Sequence, residues 1–460
     1  MQNISAPEVG QVEKSEVANI LITILFLVCI TAIALFKSIG IIFACLILLG
    51  VIVVPLYYNK PHIFLLFSVL IYPFTRILPL GDKFIITGAL YTLSMPCAIW
   101  VFFTYFKRIS KSSVYLWAML MYIVVILFNI FRPQTELIGL AKEFGRTFYA
   151  IFIILSVYNY VEQSPLNLKK LCNRISYVMN IIALVGIGQY ITRIGGMNQD
   201  GIYRVIGTFT GFNDYAFVLS FFICFSLYFL LNAGTTKARV YWTATLALNL
   251  IALTGTVSKT SMINTALIFV IMSMFLSWKR KLQLLAIGLV IGSVLLDFLI
   301  VTGAYSSLIT RFGDTTSLTW RMEIWRTLYN MILQGNVWLG EGVNASRNFL
   351  QLLVVPGESY APHNVYLETA YNFGLLGLIP FVLMFVFALF QGAYIFLDRG
   401  IENNQNRIIG ISVIIIAIIA MIQNYVSNAY YDRAGNLLYW VIMTLMICWY
   451  NYYKARSKKV

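Results

Sequence analysis

The sequence predicts an all-α, polytopic integral membrane protein of about fourteen (twelve to fourteen) transmembrane helices, with one long outer loop containing short amphipathic helices. Three observations predict it. Of the 460 residues, 60% are hydrophobic and only 11% charged, with a mean hydropathy of +0.80. Soluble domains are roughly 45–50% apolar and about 25% charged, so a water-soluble globule is excluded. Apolar runs of the length a helix needs to cross a bilayer, about 20 residues, recur along the chain. Clusters of Lys and Arg interrupt these runs at every second connection, as the excess of positive charge on cytoplasmic loops requires.

The elements follow in order. Residues 1–18 carry Glu8, Glu13 and Glu16 against the single Lys14, the wrong charge for the start of a signal peptide. They are expected to be a cytoplasmic tail, with 19–36 a retained first helix. Further spans are expected at 38–58, 61–80, 84–106, 112–131, 144–160, 174–192, 212–231, 240–258, 260–278 and 282–301, giving eleven helices over 19–301. The run from Val240 to Trp278 is too long for one crossing and breaks at Gly255, Ser258 and Lys259, so it reads as two helices. The loop 302–363 follows. Spans at 374–397, 408–430 and 437–453 fill the segment 364–453, and a basic tail, 454–460, ends the chain.

The connections containing Lys107, Lys169, Lys237, Lys279 and the C-terminal tail place both termini in the cytoplasm and 302–363 on the outer side. By this topology the inner side holds 19 basic and 6 acidic residues and the outer side 14 and 12. The total of +15 is therefore mostly orientation signal, and nucleic acid is not an expected partner. Arginine is unevenly placed: 7 Arg beside 12 Lys inside, but 10 Arg beside 4 Lys outside. The topology rule treats both cations alike. The planar Arg fork, by contrast, suits gripping a phosphate or carboxylate at two points. The outer set is Arg76, Arg132, Arg146, Arg193, Arg204, Arg311, Arg321, Arg326, Arg347 and Arg433. The plainer account is that Arg tolerates the membrane interface and pairs with nearby acids.

Several polar groups stand out. Tyr203 to Asp214 holds Arg204, Gly207, Gly211, Asn213 and Asp214 ahead of an apolar run. Asn213 or Asp214 is expected to cap the helix, whose free N–H groups suit an anion; a capped loop with a solvated Arg is the alternative. Lys259, among Ser258, Thr260 and Ser261, needs a partner near membrane depth, either an anion or Asp297. Ser317 is expected to start a helix to about Gln334, with Leu318, Met322, Trp325, Tyr329 and Ile332 on one apolar face and Glu323 pairing with Arg326. His363, after Ala361 and Pro362 and before Asn364, Tyr366 and Glu368, is either a base near neutral pH or a helix cap. His62 is given no role. The six cysteines and two histidines show no disulfide or zinc spacing.

On these residues the chain resembles the bacterial O-antigen ligase and polysaccharide polymerase family. The resemblance covers roughly the middle and C-terminal two-thirds. It rests on Arg204-x-x-Gly207 with Asn213, Ser258-Lys259, Arg321-x-x-x-Trp325, Gly340-x-Gly342, and His363-Asn364 followed by Gly374-x-x-Gly377. It implies a metal-independent, cofactor-free glycosyltransferase embedded in the bacterial inner membrane with its site facing the periplasm. The implied donor and acceptor are glycans linked to undecaprenyl pyrophosphate, and the implied further partners are membrane lipid and a chain-length regulator. His363 and Arg321 would be catalytic, while Arg204, Lys259, Arg311, Arg326 and Arg146 would bind the pyrophosphate. Lys259 departs from the family, in which Arg is usual there, and lacks the bidentate fork. The expected activity is polymerisation of repeat units. A ligase transferring finished glycan to lipid A core is the alternative in the same class, and a lipid-linked oligosaccharide flippase the alternative from another.

Overall fold

The computed structural model describes residues 113–131, 137–199, 202–209, 211–301, 316–354, 361–398 and 404–457, with isolated positions such as Phe102 and Phe106. The N-terminal tail, the spans expected at 19–36, 38–58 and 61–80, most of 84–106, and Arg76, Arg132 and Arg311 lie outside the described residues. The remaining helices are α1 (Tyr115–Phe128), α2 (Leu137–Gln163), α3 (Pro165–Thr192), α4 (Phe212–Leu231), α5 (Thr236–Thr256) and α6 (Lys259–Met274). They continue with α7 (Trp278–Val301), α8 (Thr316–Gln334), α9 (Ala345–Val354), α10 (Val365–Leu397), α11 (Asn404–Val426) and α12 (Arg433–Ser457).

Every span expected from residue 112 onward coincides with one of these helices. Among the described residues, five stretches are long and apolar enough to cross a membrane: Leu166–Thr192, Phe212–Leu231, Trp278–Val301, Val365–Leu397 and Arg407–Val426. α1 with the short turn after it, and α6, are shorter apolar helices. The break in the long run is real: α5 ends on Val257 in the left-handed region (φ 50°), and α6 starts after Ser258. Side-chain caps set other starts. Ser164 Oγ accepts from the Leu166 N–H (3.2 Å) ahead of Pro165, and Thr235 accepts from the Ala238 N–H (3.2 Å).

Two expectations fail locally. The helix at 212 is not capped by Asn213 or Asp214; Gly211 is the N-cap, and it offers no side chain. The segment before it is not all loop, because Met197–Gln199 pairs antiparallel with Ile202–Arg204 in a short hairpin.

Among the described residues α4 is the most enclosed of these five, with 83% of its apolar stretch buried against 12% for α7. α4 packs on α5, α6, α11 and α12, and α10 packs most extensively on α11 and α1. The α10–α11 contact is close because Gly392 and Gly410 face each other; a Cβ on Gly410 would come within 2.5 Å of the Phe396 amide nitrogen. Small residues allow such an approach between helices in a membrane. Aromatic rings join α1, α10 and α12, with Tyr115 stacked on Trp440 at 5.4 Å and Phe385 on Trp440 at 6.1 Å.

α8 and α9 fold against the start of α10. The packed face of α8 differs from the expected stripe: Ile324 and Leu328 are buried with Leu350 and Tyr371, while Met322 and Tyr329 are exposed. Trp320, Trp325, Met331 and Ile332 of α8 pack against that cluster. A 3.6-residue period fits more than one register in a helix this rich in apolar residues, and the neighbours choose. Glu323 and Arg326 are both exposed and form no ion pair with each other.

Candidate functional site

The site is built around the entry to α10. Asn364 is its N-cap, its Oδ1 accepting from the Leu367 N–H at 3.1 Å. The capping role that sequence left open for His363 therefore belongs to its neighbour. His363 precedes the cap with a left-handed backbone, φ 53°. Its ring lies edge-on to Trp320 at 6.2 Å. Trp325 Nε1 donates to the Pro362 carbonyl at 2.8 Å, which fixes the peptide leading into the histidine. Burial lowers the His363 pKa from 6.5 to about 4, and the positive charges of Arg321 and Arg347 add to the effect. The imidazole is neutral at physiological pH, so one of its nitrogens accepts a hydrogen bond.

Arg321 reaches from α8 to the end of α11, where its Nη1 donates to the Val426 carbonyl at 2.9 Å. Arg347, on α9, donates through Nε to Glu368 Oε1 on α10 at 2.7 Å. Its guanidinium also lies 4.8 Å from the centre of the Tyr431 ring. The same ring meets Arg146 of α2 at 4.6 Å. Arg146 pairs with Glu143, which accepts a further hydrogen bond from Tyr122 Oη at 3.1 Å. Glu368 is 1% exposed, and its Oε2 has no hydrogen-bond partner among the described residues. The Tyr431 hydroxyl is likewise buried without one.

The glycine motifs are a backbone joint. α10 is interrupted at Gly374 (φ 64°, ψ −165°), where only glycine is at ease. The loop 337–342 docks into the opening. Leu375 N–H donates to the Val337 carbonyl (2.8 Å) and Leu376 N–H to that of Trp338 (3.2 Å), while Glu341 and Gly342 N–H donate to the carbonyls of Tyr371 (2.7 Å) and Asn372 (2.9 Å). Gly340 sits against Gly374 so closely that a Cβ would lie 2.5 Å from the Gly374 nitrogen. This joint carries α9, and with it Arg347, onto α10.

The expected site residues separate accordingly. His363 and Arg321 come together, and Arg146 joins the same cluster through Tyr431. Arg204 is 3% exposed and spends its fork on protein: Nε donates to the Thr256 carbonyl and Nη2 to that of Val257, both at 2.9 Å, with the guanidinium over Phe212 at 3.2 Å. Through these bonds it holds the end of α5. Lys259 opens α6, half-buried. Asp297, its expected mate, is exposed on α7 and forms no ion pair among the described residues. Arg326 is exposed on α8, and Arg311 lies outside the described residues. Sequence reasoning named Arg347 only as one of ten outer arginines and Glu368 only as part of the run after His363, and it left out Glu143 and Tyr431. The separation of 21 residues between Arg347 and Glu368 is no motif, and Tyr431 is one of 29 tyrosines. Among the described residues, no group of three or more His, Cys, Asp or Glu side chains is gathered as a metal site would require.

Residues 244–382 match the family model described as O-antigen ligase. The matched stretch contains Ser258, Lys259, Arg321, Trp325, the Gly340 loop, His363, Asn364 and Gly374, and begins after Arg204. No curated protein matches the chain. The family match supports an O-antigen ligase or polymerase, a glycan-transferring enzyme of surface-polysaccharide biosynthesis, and the apolar helices agree with a bacterial membrane protein.

Proposed function

We propose, from the O-antigen ligase domain at residues 244–382, that the chain is a membrane-embedded glycosyltransferase polymerising repeat units linked to undecaprenyl pyrophosphate. In this reading it crosses the inner membrane fourteen times with both termini in the cytoplasm, the site faces the periplasm, and a chain-length regulator is its partner in the membrane. The observation that carries the reading is a neutral histidine beside two arginines from different elements, Arg321 and Arg347. The acceptor sugar hydroxyl attacks the anomeric carbon of the donor while His363 takes its proton. The bond from that carbon to the phosphate oxygen breaks, and undecaprenyl pyrophosphate leaves with the electron pair. Arg321 stabilises the negative charge that develops on the leaving diphosphate. Loss of one preorganised donor of this kind costs about 10²–10³ in rate.

The test is a reconstituted assay in lipid nanodiscs with lipid-linked repeat unit as both donor and acceptor. A ladder of products is expected. Product only after a lipid A core acceptor is added would make the chain a ligase, and none with either would refute transfer. His363→Ala and Arg321→Ala are each expected to abolish transfer at matched membrane levels. Near-normal product from either variant removes that residue from the mechanism.

A further inference from the structure

We infer that Arg347, presented by Glu368, is a second cation on the donor diphosphate opposite Arg321, and that Glu368 is its positioning residue. The inference rests on the glycan-transfer reading above and assigns a part of it that the sequence left empty.

The geometry sets Arg347 apart from Arg204, Arg146 and Arg326. Arg204 has spent its fork on carbonyls. Arg146 is paired with Glu143, whose carboxylate is closed off by Tyr122. Arg326 is exposed on α8. Arg347 is fixed at its base and open at its tip: Nε is bound to a carboxylate with a side-chain exposure of 1%, while its own side chain is 33% exposed. Its one hydrogen bond among the described residues is made through Nε. The Nη edge that grips phosphate in two places is left for a ligand. Tyr431, 4.8 Å from the guanidinium, restricts its swing, so little freedom is lost when a ligand binds.

The other half of the pair points the same way. A buried carboxylate oxygen without a hydrogen-bond partner is costly to keep. Among the described residues, Glu368 is bound at Oε1 alone. Such a pair is a costly way to gain stability, but a direct way to hold one charged fork in place. Arg321 and Arg347 come from α8 and α9, on either side of the loop that docks at Gly374, and both charges act on His363. A diphosphate between them would offset both. His363 would then become a better base once the donor is bound, because the cations that depress its proton affinity would be neutralised. The remaining charged or titratable groups of the cluster are Glu368, Tyr431, Glu143, Arg146, Tyr122 and Tyr430.

The chain has two histidines, so a His62→Asn background leaves one imidazole to follow by nitrogen-15 NMR in nanodiscs. The probe is undecaprenyl pyrophosphate, which carries the diphosphate and no glycan. Its binding is expected to raise the His363 pKa. Arg347→Gln should raise that pKa in the empty site and weaken binding about tenfold or more, as loss of a bidentate charged contact does. Arg347→Lys should not restore binding, since it lacks the fork. Glu368→Gln keeps an acceptor for Nε and should raise KM several-fold with kcat little changed. The inference is overturned if Arg347→Gln binds the probe as wild type does and leaves His363 at about 4. Should that variant not fold, wild-type binding by both Arg347→Lys and Glu368→Gln overturns it. Binding that depends on Arg347 in a protein that transfers no glycan would refute the transferase reading and support the diphosphate site.

Discussion

Replacing Gly374 with alanine asks whether the joint between the 337–342 loop and α10 holds the site together. At φ 64° and ψ −165°, a residue with a side chain carries about 1–3 kcal/mol of backbone strain. The new methyl group would overlap the Trp338 carbonyl and lie 2.5 Å from the Leu339 nitrogen. These are backbone atoms, so a rotamer change cannot clear them and the loop must withdraw. Withdrawal gives up the bonds from Leu375 to Val337 and Leu376 to Trp338, each contributing about 0.5–1.5 kcal/mol. The total is about 2–6 kcal/mol, a large part of the 5–15 kcal/mol or so that holds a typical domain folded. The assay is the fraction of purified protein remaining monodisperse after heating in detergent, with glycan transfer measured on the same samples. Gly288→Ala in α7, where an added Cβ meets nothing within 4 Å, is the control; it should be neutral or stabilising by about 0.5–1 kcal/mol. A Gly374→Ala protein as heat-resistant and active as that control would refute the argument.

Further predictions concern the cations and the histidine. Arg204→Ala removes two charge-assisted bonds from buried carbonyls, each contributing about 1.5–3 kcal/mol; the expected result is lost thermal stability with little change in KM of the surviving enzyme. Arg326→Ala, at an exposed position, should leave transfer within about twofold of wild type, and a larger loss would place Arg326 on substrate. Because the His363 pKa lies at about 4, the acid limb of kcat/KM should fall well below pH 6, as protonation removes the acceptor for the hydroxyl proton. Arg321→Gln takes away one of the depressing charges, so the limb of any residual activity should move up; a wild-type limb at 6.5 would contradict the site geometry. The linked effect on stability has the same direction. With the folded pKa below the unfolded 6.5, the unfolded chain takes up its proton first, and stability is lost as pH falls from 6.5 toward 4.

Sequence alone determined what depends on period and composition. Apolar runs of bilayer length fixed the helices from residue 112 onward, since a backbone in lipid must satisfy its own hydrogen bonds within each segment. Ser258 and Lys259 marked the break in the longest run, and the His363-Asn364 and glycine motifs marked the neighbourhood of the site. What it left open was decided by contacts that sequence separation does not encode. Arg204 and Arg321 read alike in the chain, as arginines beside aromatic residues on the outer side. The fold turns Arg204 inward onto the carbonyls at the end of α5, while bringing Arg321 to the end of α11 beside His363. On α8 the burial of Ile324 and Leu328 in place of Met322 and Tyr329 was chosen by α9 and α10. Arg347 and Glu368 meet because a glycine loop enters a kink in α10. Local patterning can announce a helix and a cation, but only the packed neighbours decide which charges find a partner inside the protein and which stay open to a ligand.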